Sequence, residues 1–180
     1  VLQIHGGKSH DIVEKGLQVL EHMNHRGAEG TDDKTGDGAG ILVQIPHEFI
    51  LLQGIAVPEK GRYGTGIIFF PQKEDEAAIC MSIVKEAIQA EALTLLAIRD
   101  VPVNSSILGE ISRANEPGIK QIFVSGCNDQ ETLERALYIA RKKMEIAVMN
   151  STITQKRDFY VNSLSTRTII YKGMLTSLQL

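Results

Sequence analysis

Apolar residues recur at two spacings along the chain, and these spacings predict helices and strands in mixed order. A spacing of three to four residues predicts helices over residues 9–24, 74–92 and 106–115. A fourth helix is predicted to begin at a capping pair, Asn128 and Glu131, and to continue through residue 148. Runs rich in β-branched and aromatic residues predict strands over residues 1–4, 41–45, 64–70, 93–101, 120–125, 159–164 and 168–172. This mixture indicates an α+β or layered α/β protein.

The last helix and the two strands after it give the most specific local predictions. Five apolar residues fall on one face of the helix, which is therefore expected to be buried: Leu133, Leu137, Ala140, Met144 and Val148. Only residues 165–167 separate the two final strands, a distance that allows them to pair as a hairpin.

Composition narrows the functional classes. A chain of 180 residues is long enough for one domain with its own core, so a single domain over 1–180 is predicted. The net charge of -3 and the lack of a basic run longer than residues 141–143 argue against nucleic acid binding. No apolar run approaches the roughly 20 residues that cross a bilayer, and the first residues do not resemble a signal peptide. A cytoplasmic location without membrane contact is expected.

A glycine-rich loop, Thr-Gly-Asp-Gly-Ala-Gly at residues 35–40, is the first candidate for chemistry. Glycines of this kind can let backbone N–H groups approach a phosphate. A phosphate loop leads from a strand into a helix, whereas this loop leads into a predicted strand. The sequence therefore favours a tight turn beside a sheet over a nucleotide site.

Cysteines and histidines give no strong site. Cys80 and Cys127 have no metal-binding spacing and are expected to be buried thiols, Cys80 within an amphipathic helix. His22 and His25 are three residues apart near a helix end, a spacing compatible with a metal, but no carboxylate or cysteine stands in a motif relation to them. No metal site is predicted.

Arg26 follows the first predicted helix and directly precedes Gly27. A guanidinium group in this place can hold a carboxylate in a fixed orientation. It can equally be a cation that complements the helix dipole. The residue pattern alone leaves both interpretations open.

Several segments together resemble one family. His-Arg-Gly-Ala at residues 25–28, the glycine loop at 35–40 and Gln-Ile-Pro-His at 44–47 occur in the order found in the N-terminal class II glutamine amidotransferase (glutaminase) domain of glutamate synthase large subunits. Later segments resemble the same family: residues 63–66, 99–103, 121–124, 137–142 and 163–175. The resemblance extends over essentially the whole chain.

The resemblance implies a fold and a reaction. The fold is an α+β, N-terminal-nucleophile hydrolase-like four-layer αββα sandwich, expected to be incomplete here. The reaction is attack of an N-terminal cysteine on the side-chain amide of L-glutamine, with the cysteine's own α-amino group as base. Glutamate and ammonia are released, and the synthase domains of the same polypeptide use the ammonia to aminate 2-oxoglutarate. FMN and an iron–sulfur cluster are implied for the full-length enzyme, none for this fragment, together with a small NADPH-oxidising subunit.

The resemblance also implies site residues. Arg26 and Gly27 resemble the residues that border the glutamine site, and Asp37 and Gly38 lie in a loop beside it. The nucleophilic cysteine is expected a few residues before Val1, so the fragment is expected to be inactive alone. The alternative is a stand-alone, non-catalytic domain that keeps the fold for binding or regulation.

Overall fold

The computed structural model describes residues 4, 5, 7, 9–23 and 34–180, which form helices and antiparallel strands in mixed order. In chain order the elements are α1 (Asp11–His22), β1 (Ala39–Gln44), α2 (His47–Leu52), β2 (Gly64–Phe70), α3 (Glu74–Gln89), β3 (Thr94–Asp100), α4 (Glu110–Ala114), β4 (Gly118–Ser125), α5 (Gln130–Asn150), β5 (Tyr160–Ser165) and β6 (Thr168–Gly173). Short 3-10 helices lie at Ser105–Ile107 and Ser177–Gln179. The predicted α+β class is confirmed.

The chain divides into two compact units. The first comprises Val1–Val43, Val103–Glu116 and Tyr171–Leu180, and the second comprises Gln44–Pro102 and Pro117–Ile170. Of the helices that the structure describes in them, none is both long and apolar enough to cross a membrane. Organisation as one domain over 1–180 stays a prediction.

The second unit contains a four-stranded antiparallel sheet in the order β3-β4-β2-β5. Along the chain its elements follow as β2, α3, β3, β4, α5 and β5, a βαββαβ sequence. The central strands are the first and third of the four, and the edge strands are the second and fourth. This combination of chain order and sheet order is the split βαβ, or ferredoxin-like, arrangement.

Helices α3 and α5 cover one face of this sheet and form the main core with it. The predicted inner face of α5 is confirmed, because all five of its apolar residues are fully buried: Leu133, Leu137, Ala140, Met144 and Val148. They pack with β2 residues Ile68 and Phe70. Gly64 lets α5 come close to β2, since a Cβ there would lie 2.3 Å from Leu137 Cδ1.

A second, smaller cluster contains residues of the opposite sheet face. Tyr63 and Phe123 are buried here with Ile45 and Ile50. Ile50 belongs to α2, which the sequence did not predict. Its six residues follow Pro46, and a helix of fewer than two turns is too short for helical periodicity to be distinguished from a simple apolar run.

In the first unit, α1 contacts the 3-10 helix at Ser177–Gln179, and β1 pairs with β6. Residues 1–3, the start of the first predicted strand, lie outside the described residues, and Ile4 is in a turn. The short helix predicted over 106–115 is interrupted. Asn104 caps the 3-10 turn through Ser106 N, and Gly109, in an extended conformation, starts α4.

Two other predictions were wrong in detail. The cap of α5 is Asp129, whose Oδ1 accepts a hydrogen bond from Thr132 N at 2.8 Å, rather than Asn128. A carboxylate at a helix N-terminus is favoured by the helix dipole over a neutral amide.

The final two strands form, but β6 pairs with β1 and β5 pairs with β2, so β5 and β6 do not make a hairpin ladder.

Candidate functional site

The glycine loop of the first unit lies directly against the end of β6 and the residues that follow it. A Cβ at Gly36 would lie 2.3 Å from Leu175 O, and one at Gly40 would lie 2.6 Å from Lys172 Cβ. Gly38 has φ +131°, a conformation that side-chain-bearing residues rarely adopt. The loop leads into β1, as the sequence predicted. Its glycines are therefore required by close backbone packing and by the turn itself.

Hydrogen bonds fix the start of this loop. Lys34 O accepts hydrogen bonds from Gln179 Nε2 at 3.0 Å and from Gly109 N at 3.2 Å. The buried Ser112 donates its hydroxyl hydrogen to Met174 O at 2.9 Å. These bonds hold the loop between α4 and the C-terminal segment of the same unit.

Of the four predicted site residues, two lie in the described part of the chain. Asp37 and Gly38 lie at the exposed tip of the glycine loop, so the Asp37 carboxylate is free to face solvent or a ligand. Arg26 and Gly27 lie outside the described residues. Their assignment to a glutamine site stays a prediction, as does that of Asp37 and Gly38.

In the second unit, a β-bulge in β5 turns two polar side chains toward β6. Ile67 of β2 is opposite Ser163, but the next residue is opposite Val161, so Asn162 is the additional residue. Asn162 Nδ2 donates to Ile170 O at 2.7 Å, and Ser163 Oγ accepts from Ile170 N at 3.3 Å. Side chains of β5 thus bind the backbone of β6, which replaces the hydrogen-bond ladder of a hairpin.

Asn162 leaves one polar atom without a partner. Its Oδ1 is buried and receives no hydrogen bond in the part of the chain that the structure describes. Ile170 O can only accept a hydrogen bond, so the group of Asn162 that faces it must be the NH₂ donor. This contact determines the orientation of the Asn162 side-chain amide. Because bulges often re-aim side chains beside functional sites, Asn162 is a site candidate, and no local pattern in the sequence points to it.

Glu134 of α5 holds the turn between β5 and β6. Its carboxylate accepts hydrogen bonds from Ser165 Oγ at 2.7 Å, Thr166 N at 2.7 Å and Thr166 Oγ1 at 2.5 Å. Burial acts to raise the pKa of Glu134, but these hydrogen bonds and the nearby charge of Arg167 outweigh it and lower the pKa. The residue is therefore ionised in the folded protein and stabilises the turn as a carboxylate.

Tyr63 lies under the same sheet face as Phe123. Burial, with a smaller effect of the Glu48 carboxylate, raises the pKa of Tyr63 to about 12. The phenol therefore stays protonated at neutral pH, and its oxygen lies 3.0 Å from His47 Nδ1. His47 lies in a segment of the family resemblance, and the contact gives it a structural role.

The two cysteines differ in burial. Cys80 is fully buried in the main core, where burial and, less strongly, the Glu76 carboxylate raise the pKa of its thiol to about 11. A protonated, enclosed thiol is a poor nucleophile. The prediction that Cys127 is also buried was wrong, because it is half-buried at the edge of that core, just after β4. Glycine at position 126, with φ +149°, turns the chain there.

Across residues 9–23 and 34–180 and the three described positions before them, no group of three or more His, Cys, Asp or Glu side chains could hold a metal ion. His22 ends α1 and is exposed, and its predicted partner His25 lies outside the described residues.

Known proteins are similar to this chain over essentially its whole length. The family model described as Glutamine amidotransferases class-II matches residues 1–180. The glutamate synthase (NADPH) large chain of Bacillus subtilis is 43% identical over 176 residues, which are 95% of this chain and 11% of that protein. Ferredoxin-dependent glutamate synthase 2 of Synechocystis sp. is 38% identical, over 99% of this chain and 11% of its own length. The glutamate synthase (NADPH) large chain of Azospirillum brasilense is 39% identical, over 100% of this chain and 12% of its own length.

Proposed function

Since this chain belongs to the class-II glutamine amidotransferases, we propose that it is part of the glutaminase domain of a glutamate synthase large subunit. The domain hydrolyses L-glutamine to glutamate and ammonia. The ammonia is used elsewhere in the same polypeptide for reductive amination of 2-oxoglutarate. The observation that carries the proposal is the similarity over the whole chain to proteins that are all named glutamate synthases.

Family membership also gives the N-terminal-nucleophile hydrolase fold that the resemblance implied. The chain spans 11% of the length of the first relatives it matches. The synthase reaction, its electron donor subunit and its cofactors are therefore proposed for the complete protein. An iron–sulfur cluster is normally held by four cysteines, whereas these residues contain two. The residues present do not fit such a cluster, so no step of the reaction is assigned to one here.

We assign the attacking thiol to a residue outside Val1–Leu180. The buried Cys80 thiol is kept protonated by its raised pKa, and Cys127 packs against the core. A protonated, enclosed thiol such as that of Cys80 is a poor nucleophile, and we assign Cys127 a packing role rather than a catalytic one. The 180 residues then supply the scaffold, and by themselves do not hydrolyse glutamine.

This assignment is tested by replacing both cysteines in the complete polypeptide. The Cys80→Ala/Cys127→Ser variant is expected to hydrolyse glutamine with kcat within roughly twofold of the parent, because neither thiol takes part in the reaction. A glutamine-mimicking alkylator should still inactivate it and should label one cysteine outside these 180 residues. The measurement is ammonia release together with peptide mass spectrometry of the alkylated protein.

The unsubstituted polypeptide is the control for labelling, and its unfolding midpoint is the control for structure. A double variant that is folded but neither hydrolyses glutamine nor takes up the alkylator would refute the assignment. A complete polypeptide that never releases ammonia from glutamine would refute the glutaminase function itself.

Arg26 is proposed to orient the glutamine substrate. Arg26→Ala in the complete polypeptide is expected to raise KM for glutamine by roughly tenfold or more, equivalent to loss of about 1.4 kcal/mol of binding. The physical reason is the loss of a rigid guanidinium group that pairs with a carboxylate. Steady-state glutaminase kinetics measure the effect.

Arg157→Ala is the matched control, because Arg157 is an exposed arginine in the loop before β5. It should leave KM unchanged. An unchanged KM for Arg26→Ala as well would remove Arg26 from the glutamine site.

A further inference from the structure

Helix α5 is apolar on two sides. Its inner face is the fully buried row already described, while four large apolar side chains lie exposed on its outer side: Tyr138, Ile139, Ile146 and Met149. Tyr138 and Ile146 are each 60% exposed. Because an apolar stripe along a helix normally packs against another element, the outer side of α5 has the composition of a contact surface.

These outer residues form a continuous surface. Residues 138, 142, 146 and 149 are spaced by three or four positions, which places them along one side of a helix. Lys142 Nζ lies 5.9 Å from the centre of the Tyr138 ring and so contacts the first residue of the row. The term α5 surface is used below for Tyr138, Ile139, Lys142, Ile146 and Met149. Scattered exposed apolar residues are ordinary, but a continuous row marks an interaction site.

A groove of about 370 Å³ continues the α5 surface toward the start of β5. Lys142 and Met149 belong to both, and Phe159 and Tyr160 form the far wall. The Phe159 ring packs edge-on against Phe70 in the core, at a centroid distance of 5.7 Å, and so this wall is firmly placed.

The loop that carries Lys156 into the groove is also fixed. Glu76 of α3 accepts hydrogen bonds from Thr154 Oγ1 and, at 2.8 Å, from Gln155 N. Hydrogen bonds from Thr154 and Gln155 are the main reason that the pKa of Glu76 lies below its ordinary value, so this anchor is a carboxylate at neutral pH. A groove with fixed walls can accept a side chain of a partner at little cost in conformational entropy.

The charge of the groove selects the kind of partner. Its lining carries three cations, Arg141, Lys142 and Lys156, and one carboxylate, Glu145. Arg141 and Lys142 both pair with Glu145, each at 2.9 Å, so one carboxylate is shared between two cations. The net positive balance contrasts with the net charge of -3 for the chain. A complementary surface would have an apolar centre and carboxylates at its rim.

We propose that the α5 surface and its adjoining groove dock against an acidic-rimmed apolar surface in the remainder of the same polypeptide. The inference rests on the proposed function, which makes these residues one part of a long synthase chain. The relatives support it, since the segment they share with this chain is only 11–12% of their length. A partner within the same chain accounts for an apolar surface that would otherwise promote aggregation.

The test measures solvent access in the complete polypeptide. Ile146→Cys places a thiol in the middle of the α5 surface, and Lys85→Cys places one at an exposed position of α3 as the matched control. Site-resolved mass spectrometry after a timed maleimide pulse gives both labelling rates. Position 146 is expected to react roughly tenfold or more slowly than position 85, since the centre of a packed interface excludes solvent. The ratio should not change when the protein is diluted.

Equal labelling at the two positions would overturn the proposal, because the surface would then be open to solvent. Protection of position 146 that disappears on dilution would also overturn the proposal, because a second copy of the chain would then be what covers the α5 surface. Glutaminase activity of both variants is assayed in parallel. If the variants hydrolyse glutamine but position 146 is not protected from labelling, only the docking inference is refuted. If position 146 is protected but glutamine is not hydrolysed, the proposed function is refuted and the α5 surface is still shown to be covered.

Discussion

Gly66→Ala is expected to lower the free energy of unfolding by about 3 kcal/mol or more, at or beyond the upper end of ordinary overpacking. A Cβ on Gly66 would lie 2.1 Å from Ser163 O and 2.9 Å from Leu164 Cα. Both atoms belong to the backbone of β5, so no side-chain rotation can relieve the overlap. Since β2 is a central strand between β4 and β5, a displaced β2 disturbs pairing on both sides. Urea unfolding followed by far-ultraviolet circular dichroism measures the change.

Gly118→Ala is the matched control for this prediction. It makes the same substitution in β4, beside β2, but the nearest atom to the added Cβ is Phe70 Cβ at an ordinary 3.7 Å. We expect its unfolding free energy to stay within about 1 kcal/mol of the parent. Equal unfolding midpoints for the two variants would show that close packing at Gly66 does not limit the stability of the sheet.

Glu134→Gln is expected to lower the free energy of unfolding by about 1.5–3 kcal/mol at neutral pH, the usual value of hydrogen bonds to a charged group. The carboxylate accepts three hydrogen bonds from Ser165 and Thr166. A glutamine keeps one acceptor oxygen, but its NH₂ group must face a donor. The turn between β5 and β6 therefore loses part of its support.

The effect of Glu134→Gln is expected to depend on pH. Although burial acts to raise the pKa of Glu134, the hydrogen bonds from Thr166 and Ser165 place it below the ordinary 4.5 in the folded protein. Stability from such a group is fully present above pH 4.5, the ordinary value, and is lost as the pH falls through the lowered folded value. The difference between parent and variant should therefore be constant near neutral pH and shrink in acid. Urea titrations at several pH values measure it.

Glu131→Gln, one turn earlier in α5, is the control. Glu131 is 65% exposed and pairs with the exposed Arg167, so its replacement should cost less than about 1 kcal/mol. A Glu134→Gln effect of this small size, or one that grows in acid, would contradict the role given to the Glu134 carboxylate.

Much of the fold was accessible from the sequence because it depends on local periodicity. The inner face of α5 was predicted residue by residue, and the apolar run at residues 64–70 was identified with the bounds that β2 has. Helix α5 buries one apolar face and β2 is buried along almost its whole length, and the apolar patterns of both are the primary structural signal in a sequence. The glycine loop was likewise interpreted as a turn, because a strand follows it.

The candidate site was less accessible. Asp37 and Gly38 were placed on a loop from the glycine pattern and beside a glutamine site through family resemblance, and the structure shows both exposed on that loop. Asn162 and Glu134 were missed, because their importance depends on partners in other elements. Nothing in the residues next to Asn162 indicates that it will be the additional residue of a β-bulge in β5, with its side-chain oxygen Oδ1 buried.

By itself, the sequence determined most of the helices and strands, the face that α5 buries and the family to which the chain belongs, because these depend on residue spacing and residue identity. Only the tertiary structure decided that β6 pairs with β1 rather than with β5, that Asp129 rather than Asn128 caps α5, and that the outer side of α5 is left exposed. The physical reason is that strand pairing and the covering of a helix face depend on free-energy differences between competing partners far apart in the chain, while the cap depends on which of two adjacent side chains is better placed at the helix N-terminus. Local periodicity does not contain those differences.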